Sequence, residues 1–214
     1  MRPVVFTSIA ADDDYIAAAQ QLAGAGNLVL NGVGVDKTVP AEWARVVIPA
    51  GSGEYVVNLT SAGNLSAVNF TIYGIDLKGT AIAEAIAGPN ANTVTTTAYF
   101  SKVTRIAADA AVGTDVKAGI GIGRSNWIKG TSFMTPFNAT IAVDVTGTIN
   151  YTVQYTPDDL ELVSSPSIFS HPDSAVVSAT ADAVANYAFP IGATRILVNS
   201  GSGSLRAVFT QAGL

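Results

Sequence analysis

The stretch Ala67-Val68-Asn69-Phe70-Thr71-Ile72-Tyr73-Gly74 decides the fold class. Val68, Phe70 and Ile72 fall on one side of an extended chain, and Asn69, Thr71 and Tyr73 fall on the other. A period of two with β-branched and aromatic residues is the pattern of a half-buried strand. Asp76-Leu77-Lys78-Gly79 supplies a turn, and a further strand is expected near 81–87. Upstream, Arg45-Val46-Val47-Ile48 and Glu54–Thr60 flank the turn Pro49-Ala50-Gly51-Ser52-Gly53. Downstream, strands are expected near 93–97, 100–107 and 115–122. Thr140–Val145 and Thr148–Tyr155 alternate on either side of Thr146-Gly147 and read as a hairpin. Strands near 195–198 and 205–211 close the series. Residues 178–185 fit either a helical turn or a loop. Many short strands joined by glycine-rich turns predict an all-β chain of antiparallel sandwich or barrel-like modules.

The segment from Arg45 to Gly63 aligns without gaps to Arg195 to Gly213. Each copy is an Arg-led apolar strand, a Gly-Ser-Gly turn and a second strand ending in Ala-Gly. With this repeat the chain divides into 1–35, an N-terminal arm or short helix; 36–124, a first β-sandwich module; 125–137, a linker; and 138–214, a second module. The helix is expected where Asp12-Asp13-Asp14 precedes Tyr15–Ala23, because acids complement the dipole of a first turn followed by good helix formers. As an arm, residues 1–30 should be removable without unfolding the rest.

Composition bounds the chemistry. The 214 residues are 49% hydrophobic and 13% charged, with 11 Lys and Arg against 16 Asp and Glu. The basic residues are scattered, so no stripe neutralises phosphates and nucleic acid is not an expected partner. No apolar run reaches the ~18 residues of a membrane span. The chain has no cysteine, which excludes disulfides, thiolate nucleophiles and Cys-based zinc sites. His171 is the single histidine, in the turn-like Ser170-His171-Pro172-Asp173. Gly119-Ile120-Gly121-Ile122-Gly123 is not a nucleotide loop, since no apolar-striped helix follows it; it reads as a strand closely approached by another backbone. Asp158-Asp159-Leu160-Glu161 and Asp12-Asp13-Asp14 group carboxylates without the spacing of a calcium loop. No catalytic, cofactor-binding or metal-ligating residue is expected. The candidate interface residues are the two tryptophans, Trp43 and Trp127, together with Tyr15 and Phe6.

Gly26–Gly32, Phe70–Gly79, Glu84–Ala91, Tyr99–Ile106 and Arg195–Gly213, taken in order, resemble a family of tailed-bacteriophage virion structural proteins. The resemblance covers most of the chain, and its motifs are turn and strand patterns. It implies a non-enzymatic, multi-copy, β-rich particle component with no cofactor. Such a protein would be assembled in the bacterial cytoplasm, located in the virion and self-associated as a homo-oligomer. It would contact the major capsid protein or neck and tail proteins. A capsid decoration (cement) protein is the expected role. A neck or tail accessory protein and a carbohydrate-binding host-attachment module are the alternatives.

Overall fold

The computed structural model describes residues 4–38, 46–47, 53–131, 136–163 and 165–212. It is nearly all β, and its sheets are antiparallel, as the alternation requires. The chain forms two compact units. Of the described residues, the first unit takes 4–10, Gly53 and 123–212, and the second takes 11–38, 46–47 and 54–122.

In the first unit, β1 (Val4–Thr7), β17 (Ser204–Gln211), β12 (Ala139–Thr146) and β15 (Ala183–Tyr187) form a four-stranded sheet in that order. A second sheet runs β14 (Phe169–Ser170), β13 (Ile149–Thr156), β16 (Ala193–Gly201), and β11 (Ile128–Lys129) also pairs with β16. Phe6, Ile141, Tyr151, Val153, Tyr187, Ile196 and Phe209 fill the core at 3% exposure or less. Hydroxyls entering it are paired: Tyr187 Oη lies 2.8 Å from Thr194 Oγ1, and Tyr151 Oη donates to the Ala181 carbonyl at 3.0 Å. Pairing is what lets a phenol be buried without a desolvation penalty.

The pair β12 and β13 is not a hairpin. β12 pairs with β17, and β13 pairs with β16, so the chain crosses from one sheet to the other at Thr146-Gly147-Thr148. β16 and β17 make the same crossing at Gly201-Ser202-Gly203. The two corners lie side by side, and the Gly203 amide donates to the Thr148 carbonyl at 2.8 Å. Gly147 and Gly201 have φ of +80° and +112°, conformations that cost a residue with a Cβ about 1–2 kcal/mol. The repeat Arg45–Gly63 against Arg195–Gly213 therefore describes corners between sheets. Its first copy follows suit, for β4 (Val46–Val47) pairs with β9 (Lys102–Ala108) whereas β5 (Glu54–Ser61) pairs with β8 (Thr93–Thr95).

In the second unit, β2 (Asp12–Leu22), β10 (Val112–Arg124), β5 and β8 (Thr93–Thr95) form one sheet. The other is β3 (Gly26–Asn27), β9 (Lys102–Ala108), β6 (Asn69–Ile75) and β7 (Ala81–Ala87), with β4 also on β9. β6 and β7, the strands expected on either side of Asp76–Gly79, pair as a hairpin in register from Asn69↔Ala87 to Ile75↔Ala81. Phe70, Ile72, Leu59, Ile106, Val112 and Val116 are fully buried.

The N-terminal segment departs from expectation. Residues 12–22 are a strand, not a helix, because β2 docks on β10 in a bulged register and buries Ile16 and Ala17 completely. Local helix propensity, worth tenths of a kcal/mol per residue, loses to that burial. β1 pairs with β17 over four residues, and Phe6 is 3% exposed. Residues 4–7 and 12–22 are thus sheet strands, one in each unit, and not a detachable arm. The division between units falls inside β10, between Ile122 and Gly123, and the 125–137 segment contains β11. Residues 183–187 are a strand, preceded by one 3-10 turn at Ser174–Val176.

Candidate functional site

The outer face of the four-stranded sheet is the surface that needs explaining. Register aligns four residues of adjacent strands into one row: Val5 opposite Val208, Val208 opposite Ala142, and Ala142 opposite Val184. Their neighbours in sequence, Phe6, Ala207, Phe209, Ile141, Val143 and Ala185, point into the core. Alternation then forces the row outward. Val184 is 63% exposed and Val5 is 42% exposed. One side of the row carries Arg206 opposite Asp144, both exposed. The other carries Thr140, whose hydroxyl donates to Asn186 Oδ1 at 2.9 Å. A continuous apolar row with polar flanks on an exposed sheet is a surface of the kind that partners cover.

The candidate interface residues named from sequence lie elsewhere. Phe6 is a core residue of the first unit, buried because it falls on the inner side of β1. Trp127 is half-buried, and the Arg195 guanidinium lies 4.4 Å above its ring while Arg195 Nε donates to Gln154 Oε1 at 2.8 Å. Tyr15 is half-buried on β2, with its carbonyl accepting from the Gly34 amide at 2.9 Å. Burial, with a smaller contribution from the Asp12 charge, holds the Tyr15 phenol above its ordinary pKa. Trp43 lies outside the described residues. Sequence reasoning missed the row because each member is a small residue on the mostly polar side of its strand. Only pairing register brings the four together.

The acidic clusters resolve differently. Oxygens of Asp12, Asp13 and Asp14 lie within 4.8 Å of one another, and the neighbouring Asp12 raises the pKa of Asp14. Calcium takes six to eight oxygens. Here the Lys117 ammonium already stands 3.1 Å from Asp13, where a cation would compete with it. Asp13 and Lys117 border an open groove of about 660 Å³ in the second unit, lined also by Gln21, Thr60 and Asp115. Gln21 Nε2 donates to Asp115 at 2.9 Å, and Thr60 bonds Thr93 at 2.8 Å, so its polar groups satisfy one another. In the loop 158–161 the carboxylates diverge. Asp158 accepts from the Ser167 amide at 2.6 Å, Asp159 from the Glu161 amide at 2.9 Å, and Glu161 pairs with Lys129. Gly119 is the close approach the glycine run predicts, since a Cβ there would strike the Asp12 carbonyl oxygen.

No family model and no curated protein matches the chain.

His171, in the turn-like stretch after β14, is buried at 3% exposure. Its Nδ1 accepts from the Asp173 amide at 3.0 Å, which places the proton of the neutral ring on Nε2. Nε2 is buried with no partner among the described residues, and the ring meets Tyr187 edge-on at 4.4 Å. Burial lowers its pKa, opposed in part by Asp173. Burial likewise drives the Tyr187 phenol far above its ordinary range. Beyond Tyr187, Tyr155, Phe169 and Phe189 form a cluster with ring centroids 5.5–5.6 Å apart about Tyr155. Phe169 is 48% exposed there. Among the described residues no helix is long and apolar enough to cross a membrane.

Proposed function

We propose that this chain is a non-enzymatic structural component of a tailed-phage particle. It decorates the head, bridging neighbouring subunits of the major capsid protein as a homo-oligomer. The observation that carries the reading is the apolar row on the outer face of the four-stranded sheet. An isolated soluble sheet normally presents polar residues on that side. A protein held in a lattice of neighbours gains from covering such a row, at about 25 cal/mol for each Å² of apolar surface removed from water. A chain with 13% charged residues has little else with which to anchor by electrostatics. The resemblance of its turn and strand patterns to virion structural proteins points the same way.

Copy number tests this reading. Quantitative mass spectrometry of purified particles, scaled to the major capsid protein, should give a number comparable with the shell lattice. A number on the scale of one ring moves the protein to the neck or tail. Absence from particles overturns the structural reading.

One observation favours a second reading, a carbohydrate-binding host-attachment module. Tyr155, Phe169 and Phe189 offer aromatic surface, with Asp158 a few residues after Tyr155 in the chain, and sugars stack on such rings while bonding to carboxylates. Glycan-array binding that is lost in Phe169→Ala would support it. No binding by the intact chain would remove it.

A further inference from the structure

We propose that the outer face of the four-stranded sheet docks a second copy of this chain. The two copies meet face to face about a two-fold axis that runs parallel to the strands, midway between β17 and β12. The inference deepens the assembly reading above by naming the surface through which the chain self-associates.

The argument is one of self-complementarity. A two-fold interface presents the same patch twice, so every residue must suit the one it meets across the axis. An axis parallel to the strands exchanges β17 with β12 and β1 with β15. Val208 of one copy then meets Ala142 of the other, and Val5 meets Val184. The apolar row superposes on itself, with the larger Val208 side chain set against the smaller Ala142. Under the same operation Arg206 meets Asp144, and it does so twice. These two are exposed, and no ion pair joins them within the chain. An axis along the row, perpendicular to the strands, would instead set Arg206 against a threonine. Charge thus selects one orientation, which is the usual work of charges at an interface. Stacked sheets prefer an offset near 30°, and the length of the Arg side chain accommodates it.

The size of the face sets the strength. The two central strands are eight residues long and the outer two only four and five, so at ~4.8 Å between strands and ~3.4 Å per residue the face measures roughly 400 Å² a side, or ~800 Å² for the pair. That lies at the low end of specific interfaces. It describes a weak dimer that forms as concentration rises, as it does when many copies are gathered on one particle.

The test uses the purified full chain and sedimentation equilibrium from micromolar to about millimolar concentration, so it needs no particle and no other virion protein. The intact chain should dimerise reversibly. Arg206→Asp and Asp144→Arg should each weaken dimerisation by at least ~10-fold, because each sets like charges together across the axis. Combining them swaps the charges and should restore self-association to within about threefold of the intact chain. Circular dichroism melts of all three variants confirm that each is folded. A chain monomeric at every concentration overturns the proposal. So does a dimer indifferent to both charges, which would indicate edge-to-edge strand pairing. Neither result bears on copy number in particles, so failure here and failure of the virion reading are separable.

Discussion

The two units finish the outer faces of comparable sheets in different ways. On the five-stranded sheet of the second unit Tyr73 lies on the outward side of β6 with the half-buried Ile75, and the tyrosine is covered. Its cross-strand neighbour Arg105 lays a guanidinium 3.9 Å over the ring, a contact worth about 0.5–1 kcal/mol at an exposed site. The edge strand β7 adds only methyl groups outward, from Ala81, Ala83, Ala85 and Ala87. On the four-stranded sheet of the first unit the outward row is Val5, Val208, Ala142 and Val184, and the adjacent Arg206 faces Asp144 instead of an apolar group. One face is closed by its own side chains. The other is left for something outside the chain. A shared fold therefore does not imply a shared job for its two halves.

The most severe way to break this comparison is to remove residues 1–30. That deletion takes Val5 and its strand from the open face, and takes β2 from the second unit. We expect loss of the cooperative β melt followed by circular dichroism, because Phe6, Ile16 and Ala17 are all interior. A truncated chain that still melts cooperatively would make the segment an arm after all, and Val5 no part of a fixed row.

A single substitution separates the two sides of one strand. Phe209→Ala on the inner side of β17 should destabilise the chain by about 3–5 kcal/mol, the usual cost of emptying a packed aromatic site. Urea unfolding would measure it. A loss under about 1 kcal/mol would mean that Phe209 and Val208 do not face opposite ways, and the row would dissolve with that assignment.

How much of this was legible in sequence follows the range of each interaction. Strand positions were legible, since the alternation through Asn69–Ile75 or Thr140–Tyr155 is local and needs no partner to be seen. Strand partners were not. Thr146-Gly147 gives the chain a sharp change of direction whether the flanking strands pair together or enter separate sheets, and only contacts with β16 and β17 decide between them. Residues 12–22 failed for a related reason. Three acids before an alanine-rich run favour a helix locally, but the segment is held extended by pairing with residues about a hundred positions later. The candidate site was the least legible part. Tryptophans draw attention by size, yet Trp127 is occupied by Arg195. The open row is built of valines and an alanine that become neighbours only through register across four strands.

His171 provides a smaller effect with a defined sign. A base whose folded pKa lies below its unfolded value of 6.5 is bound by more protons in the unfolded chain across that window. Stability is then full above pH 6.5 and declines as pH falls from there toward the folded pKa. Protonation at Nδ1 would also turn the Asp173 amide from a partner into a clash. The groups bearing on this ring are Asp173 and Tyr187. Between pH 7.5 and 5.5, above the ordinary carboxylate range, the melting midpoint should fall with pH, and His171→Phe should flatten that fall. The variant should lose about 1 kcal/mol at pH 7 with the Asp173 hydrogen bond. An unchanged acid slope in the variant would assign it to other groups. The effect belongs to the first unit, since the second has no histidine.

The smallest expected effect on stability sharpens the comparison most. Val184→Lys changes a residue that is 63% exposed on an edge strand, where a lysine is well tolerated. Its urea midpoint should move by no more than about 0.5 kcal/mol. The same lysine would set an ammonium against the partner's Val5 and should abolish self-association. A core residue would show the opposite balance, with large destabilisation accompanying any loss of assembly. A residue that merely happens to be apolar would show neither change. The combination of intact stability with lost association is what marks a side chain kept for contact with another molecule. If Val184→Lys left association untouched, the open face would be no more than an unfinished version of the one that Arg105 closes.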